Sequence, residues 1–445
     1  MKRNYVLAVL AVVVIASFAA STARAEQAYD LAWVRQTGTT ASDESLSVAV
    51  DGLGNAYISG ATRGSLGGPN AGLYDAFLAK YDSFGSLLWT RQIGTTNDDR
   101  SSSVAVDVFG NAFISGYTEG SLSGPHAGDR DAFLAKYDPS GGLLWTRQLG
   151  TAGYEESGEV AVDAYGNAYI CGPTFGDLGG PSAGSRDAFL VKYDPSGAIL
   201  WKQQLGTSGE DQGASVAVDA YGNAYVSGWT AGDLAGSNAG GWDAFLAKYD
   251  SSGSLLWKRQ MGTSSREYSE SVAVDAFGNA YISGPTFGSL GGPNAGDEDI
   301  FLAKYDPAGS LLWVRQIGTS SSEPDAAVAV DGLGNAYIGG DTGGSLGGPN
   351  AGSVDAFLAK YDSSGALLWT RQMGTTTNDY SYSVAVDGLG NAYISGYTGS
   401  SICSNPYAGG YDAFLAKYTA VPEAGTVFMV AAALVGMAAA MRRKI

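Results

Sequence analysis

Histidine is all but missing from this chain: His126 is the single one in 445 residues. No Ser-His-Asp or Cys-His set can be assembled without another, and no histidine-based metal cluster exists. His126 also stands where other copies of the same loop carry Asn70, Asn294 or Asn350, which marks it as a loop substitution. Cysteine is nearly as scarce, with Cys171 and Cys403 the only two. They fall in units that are not neighbours in the repeat described below, so no disulfide is expected and stability must come from packing. Charge is sparse and one-sided: 26 Lys and Arg stand against 44 Asp and Glu, a formal net charge of −18. The chain ends hold Lys2, Arg3, Arg24, Arg442, Arg443 and Lys444, so the middle is more acidic still. Such a surface repels nucleic acid and anionic lipid and attracts cations. Sustained helical periodicity is absent outside the two termini.

What is present is a repeat of 56 residues, seven times over. Tryptophan returns at Trp33, Trp89, Trp145, Trp201, Trp257, Trp313 and Trp369, and Gly-Asn-Ala-(Tyr/Phe) returns in step from Gly54 to Tyr393. A period near this length signals a solenoid or a propeller. Length alone suggests about three domains of roughly 150 residues; a closed ring of repeats is one.

Each unit reads as four short strands bounded by Gly, Asn and Asp. In the first they are Ser47–Asp51, Asn55–Gly60, Asp75–Tyr81 and Ser86–Ile93. Leu87 and Trp89 point one way and Leu88 the other, while Phe77 and Leu78 oppose each other, so each sheet is expected to be covered on both faces. Four-stranded sheets stacked around an axis meet that demand. A linear array would need capping repeats, and none is visible. The chain starts with a fourth-type strand, Leu31–Gln36, and ends with a third-type strand, Asp412–Tyr418, so the first can complete the last sheet. Asp82 and its copies Asp138, Asp194, Asp250, Asp306 and Asp362 open the turn between third and fourth strands. The last unit has Thr419 there, with no turn left to make. The fold expectation is all-β: a seven-bladed β-propeller of four-stranded blades over 26–420, closed by its N-terminal strand, with apolar helices at the two termini.

The strands Asp75-Ala76-Phe77-Leu78-Ala79-Lys80-Tyr81 and Leu87-Leu88-Trp89-Thr90-Arg91-Gln92, with Val48-Ala49-Val50-Asp51 and Gly54–Gly60, resemble the SBBP-type bacterial β-propeller repeat from Ala28 to about Tyr418. That resemblance implies the fold and says little about activity. At the start, Lys2 and Arg3, the apolar run Tyr5–Ala20 and Ala23-Arg24-Ala25 read as a secretory signal peptide over 1–25. At the end, Val421-Pro422-Glu423-Ala424, the apolar run Val427–Met441 and Arg442-Arg443-Lys444 resemble a PEP-CTERM sorting signal over 421–445, with Ala424 where that motif has a second proline. The resemblance implies an exosortase-like sorting enzyme as partner and a Gram-negative host that makes exopolysaccharide. It also implies passage through the inner membrane by the short helix, and residence in the cell envelope or matrix. The apolar run is short beside the 20 or so residues of a stable span.

Carboxylates carry the strongest chemical signal. Asp43, Asp99, Glu155, Asp211, Glu267, Glu323 and Asp379 recur in register, in the loop from the outermost strand of one unit to the innermost of the next. Two readings stand: loop acids that cap backbone or pair with Arg91 and its copies, or a ring at the channel mouth that gathers a cation, Ca²⁺ being the candidate. Asp51 and its copies read as turn formers, and Lys80 and its copies as mid-strand bridges between blades. The loop Pro69-Asn70-Ala71-Gly72 lies on the acidic face but lacks the lysine and helix of a phosphate cradle. Tyr154, Trp229, Trp242, Tyr268, Tyr380, Tyr397, Tyr407 and Tyr411 break the symmetry, and Trp229 and Trp242 flank one loop as a candidate sugar contact. With no differentiated catalytic set, the expectation is a non-enzymatic, exported binding or structural module with no cofactor, in contact with exopolysaccharide or envelope proteins. The alternatives are a polysaccharide lyase or glycosidase using paired carboxylates on the acidic face, and a Ca²⁺-dependent scaffold.

Overall fold

A computed structural model describes residues 29–402 and 406–420. The signal segment 1–25, the sorting segment with Val421, Pro422, Glu423, Arg442 and Arg443, both expected terminal helices and Cys403 lie outside the described residues. Cys171 is a free, buried thiol. Among the described residues no helix is long and apolar enough to cross a membrane. Trp33–Lys417 forms one compact unit; the chain ends form another, of which only the first residues of one strand and the last of another are described.

The larger unit is an all-β propeller of seven four-stranded antiparallel sheets. In the first blade the strands run from inner to outer as Asp43–Val50, Ala56–Thr62, Asp75–Tyr81 and Leu87–Ile93. The last blade joins Asp379–Val386, Ala392–Thr398 and Asp412–Ala420 to Tyr29–Thr37 as its outer strand, so the N-terminal strand closes the ring as expected. Register is pinned by recurring bulges, between Ser45 and Ser47 and between Lys80 and Tyr81 in the first blade. The inner strands shorten to Glu159–Val162, Ser271–Val274 and Ala326–Val330 in the third, fifth and sixth blades.

Local chemistry explains the turns. Asp51 Oδ1 accepts from the backbone N–H groups of Leu53 and Asn55, both at 2.9 Å, and Oδ2 from Asn55 Nδ2 at 2.8 Å. Gly54 closes this turn at φ 78°, where an L side chain is strained. Asp82 does the same work for the outer turn, accepting from Phe84 and Ser86 N–H. Both readings from the sequence hold.

The core lies between blades rather than within one. Tyr57, Ala76 and Leu78 of the first blade pack on Val104, Ile114, Phe133 and Tyr137 of the second. Burying each such large side chain contributes about 2 kcal/mol. Tyr57 meets Trp89 edge-on at 6.1 Å between centroids, a favoured aromatic geometry. Three polar ties cross the same junction. Lys80 Nζ sits 4.8 Å over the Tyr57 ring and donates to the Pro139 carbonyl at 3.4 Å. Arg91 Nε donates to the Gly141 carbonyl at 2.7 Å. The Tyr57 hydroxyl donates to the Gly110 carbonyl at 3.3 Å.

Two expectations need correction here. Among the described residues Arg91, Arg147, Arg259 and Arg315 do not pair with the seven recurring acids; they clamp the outer turn of the next blade through backbone carbonyls. The outer strands are not covered on both faces either: Leu87 and Leu88 are half exposed, as are Leu143 and Leu144. An outer strand has a sheet neighbour on one side only, and its blade face splays away from the next as the ring widens.

Candidate ligand-binding face

Two connections per blade emerge on the same face: the loop from second to third strand and the loop from the outer strand to the next inner strand. The seven recurring acids sit beneath them. Asp43, Asp99, Glu155, Asp211, Glu267, Glu323 and Asp379 are each fully buried, not displayed around a channel mouth. Asp99 accepts from the Thr95 hydroxyl at 2.8 Å, from the Thr95 backbone N–H and from the Thr118 hydroxyl. Glu155 accepts from the Thr151 hydroxyl at 2.8 Å and the Thr174 hydroxyl at 2.7 Å, so the longer side chain reaches the same partners. Burial raises the carboxyls of Asp43, Asp99 and Asp379 above the usual carboxylate range, against the pull of those hydrogen bonds. These acids cap the loop backbone. Among the described residues, no group of three or more His, Cys, Asp or Glu side chains is arranged to hold a metal.

A second buried acid fixes the other loop. Asp75 Oδ2 accepts from Gln92 Nε2 and from the Ala71 N–H, both at 2.9 Å, while Gln92 Oε1 accepts from Leu66 N–H at 3.0 Å. The same net recurs from Asp131 with Gln148 to Asp355 with Gln372. Both loops therefore have a scaffold that repeats around the ring.

The residues standing on that scaffold do not repeat. The position after the capping acid holds Glu44, Arg100, Glu156, Gln212, Tyr268, Pro324 and Tyr380 in turn. Just before the buried threonine of the second strand come Ala61, Tyr117, Pro173, Trp229, Pro285, Asp341 and Tyr397, and ahead of the third strand Tyr74, Arg130, Arg186, Trp242, Glu298, Val354 and Tyr411. The structure gathers them into an arc of changing chemistry. Arg100 lies 3.7 Å over the Tyr74 ring and pairs with Glu44 at 3.2 Å. Arg130 lies 3.9 Å over Tyr117. Trp229 and Trp242 are brought together at 5.0 Å, with Tyr268 5.4 Å from Trp242 and Arg266 over the Trp242 ring. Tyr380, Tyr382, Tyr397 and Tyr411 form a second aromatic cluster, Tyr382 stacking on Tyr397 at 5.5 Å.

Between the aromatic clusters the arc is acidic. Asp341 is fully buried with no donor to either carboxylate oxygen. Burial and the neighbouring charge of Asp325 raise its carboxyl, and burial also raises Asp325 and Glu270. Glu270 and Asp325 reach the central channel, where the inner strands of all seven blades enclose a cavity of about 240 Å³ with Glu159, Ser47, Ser103 and Tyr382 on its wall. Burial pushes Glu159 up to about 7.

Sequence reading singled out Trp229, Trp242, Tyr268, Tyr380, Tyr397 and Tyr411. It missed Tyr74, Tyr117, Tyr382, Arg100, Arg130, Arg186, Glu270 and Asp341. Aligning the seven units column by column exposes them, because they fall in the few columns that change at nearly every step.

A seven-bladed β-propeller with one variable face is the class these features define. SBBP beta-propeller repeats are found in it: that family's profile, described as a beta-propeller repeat, matches residues 32–68, 88–122, 200–235, 312–347 and 368–402. The chain is similar to the regulatory protein FlaEY of Caulobacter vibrioides, 26% identical over 403 residues that take in 80% of this chain and 41% of the relative. It is also similar to the WD repeat-containing protein L264 of Acanthamoeba polyphaga mimivirus, 23% identical over 440 residues, 73% of this chain and 31% of the relative. The chain thus spans well under half the length of these curated relatives. Among solved structures it resembles Sqt1 from Chaetomium thermophilum at 10% identity and TM-score 0.46, covering 89% of this chain and all of that one. It likewise resembles a polysaccharide lyase PL25 ulvan lyase at 13% identity and TM-score 0.46, covering 81% of this chain and 93% of that one.

Proposed function

We propose that this protein is a non-enzymatic, exported binding module whose variable face takes up a glycan of the cell envelope or extracellular matrix. One observation carries the reading: a framework that repeats in every blade supports a face whose residues differ from blade to blade, and most of those residues are aromatic or hydrogen-bonding. Half-buried tryptophan and tyrosine rings offer apolar faces, and Trp and Arg dominate the energetic centres of binding surfaces. The signal-like start at 1–25 and the PEP-CTERM-like end at 421–445 favour export and sorting by an exosortase-like enzyme. Glycan arrays with the 26–420 protein test the binding, with pull-downs from matrix extract beside them; retention of no glycan and no envelope component ends the proposal. Mass spectrometry of the secreted form tests the sorting, where cleavage near Pro422 is expected.

The acid pair Asp325 and Asp341 favours a second reading, a polysaccharide-active enzyme. Burial raises both carboxyls and the charge of Asp325 raises Asp341 further, so the pair holds the proton that an acid step needs. Release of shorter or unsaturated sugars from bacterial polysaccharides, lost in Asp341→Asn, would move the protein into that class.

A further inference from the structure

Arg130 and Arg186 occupy the same place in consecutive repeats, and their surroundings differ in one respect that matters. Arg130 is neutralised from within. Its Nε donates to Glu119 at 3.0 Å, its guanidinium pairs with Glu156 at 3.5 Å, and it donates to the Tyr154 hydroxyl at 3.0 Å. The Tyr117 ring covers it. One repeat later each partner has changed: Glu119 becomes Phe175, Glu156 becomes Gln212, Tyr117 becomes Pro173 and Tyr154 becomes Glu210.

Arg186 keeps the position and loses the counter-charge. Its terminal nitrogen donates to Gln212 Oε1 at 2.7 Å, and its guanidinium lies 5.0 Å from the Phe175 ring and 5.5 Å from Trp229. Nε is buried and has no acceptor. Glu210 is exposed and forms no ion pair with it among the described residues. Exchanging Tyr117 for Pro173 also removes a ring, and beside Arg186 there is a cavity of about 180 Å³ walled by Tyr154, Glu156, Pro173, Gln212 and Ala214. Glu156, the one acid on that wall, is already engaged by Arg130 and the Tyr154 hydroxyl.

A half-buried guanidinium with an unpartnered donor and no carboxylate is costly unless a ligand supplies the anion. Planar guanidinium and carboxylate match in a two-bond fork. We infer that Arg186 is the anion-reading residue of a sugar subsite, and that the ligand there is a sugar ring bearing a carboxylate, a uronate. The inference rests on the glycan-binding reading above and names its ligand class. The flat amide of Gln212 and the rings of Tyr154 and Trp229 supply what a sugar needs beside its charge: hydrogen bonds to hydroxyls and an apolar wall.

Isothermal titration of the 26–420 protein with oligogalacturonate, oligoglucuronate and oligomannuronate, each beside its neutral methyl ester, is the test. At least one free acid should bind, with its ester weaker by tenfold or more, the scale expected for one charge-assisted contact. Arg186→Gln should weaken the acid to the level of the ester. Gln212→Glu, which restores the counter-ion seen at Arg130, should do the same while leaving the arginine in place. Melting temperatures equal to the parent's show that neither variant has misfolded. Binding indifferent to esterification and to both substitutions overturns the inference and leaves the glycan reading standing. No binding of acid or ester by any oligosaccharide, on arrays as well, overturns both. Equal competition by polyglutamate overturns the sugar class.

Discussion

Gln36 Nε2 donates to Asp412 Oδ2 at 2.9 Å across 376 residues of chain. Elsewhere the same bond joins residues 17 apart, as Gln92 does with Asp75. Gln36 also donates to the Ser400 carbonyl and accepts from Ile402 N–H, so one side chain ties the N-terminal strand to a loop and a strand of the last repeat. A local brace has become the latch of a ring. Gln36→Ala should cost about 1–3 kcal/mol, since it removes three hydrogen bonds, one of them to a buried carboxylate. Gln92→Ala should cost a similar amount at its own blade. The two should differ in limited proteolysis: cleavage at the chain ends should rise in Gln36→Ala alone. Equal protease patterns in the two variants would show that closure does not depend on this latch.

The buried acids make a sharp distinction between capping and cation binding. Asp99→Ala removes the acceptor for Thr95 and Thr118 and should lower stability by about 1–3 kcal/mol in urea titration. EDTA should leave the melting temperature of the parent unchanged. A drop of several degrees on chelation, restored by Ca²⁺, would return these acids to the role of ligands.

The architecture was legible because the repeat is read twice, as period and as strand pattern. The strands Leu31–Gln36 and Asp412–Tyr418, with Thr419 where other units have a turn aspartate, announced how the ring closes. The capping acids were found and their surroundings misjudged, for a definite reason. Asp and Glu at a loop position look exposed in sequence, and the threonines that bury Asp99 come from both sides, Thr95 four residues before it and Thr118 on the neighbouring strand. The variable face was half legible. Aromatic departures such as Trp229 stand out against a glycine-rich background, whereas Arg186 matters only through what replaced Glu119 and Glu156. That is a statement about three residues brought together by folding, and no single column of the repeat contains it.

Trp242 should matter to ligand more than to fold. It is half-buried, rests against Trp229 and Tyr268, and has Arg266 over its ring. Its place in other blades is filled by residues as different as Val354 and Glu298, so the scaffold tolerates its loss. Trp242→Ala should weaken glycan binding by about tenfold or more, in the range of aromatic hot spots, while the melting temperature falls by only a few degrees. Unchanged binding in that variant would take the aromatic cluster out of the site.

Acidity tests the channel. Glu159 faces the central cavity and accepts a hydrogen bond from the Ser215 hydroxyl, yet burial pushes its carboxyl from 4.5 up to about 7. The unfolded chain therefore gives up this proton near pH 4.5 and the folded chain only near 7. A raised carboxyl contributes stability that is fully present below the lower value and is lost as pH climbs through the higher one. Glu159 is only partly buried against the channel, which tempers the effect to about 1–2 kcal/mol. Serine occupies this position in five other blades, at Ser47, Ser103, Ser215, Ser271 and Ser383. Glu159→Ser should accordingly melt higher than the parent at pH 8, and the gap should close as pH falls toward 4.5. A gap that stays constant across that window would mean that Glu159 ionises as freely in the folded ring as in the unfolded chain.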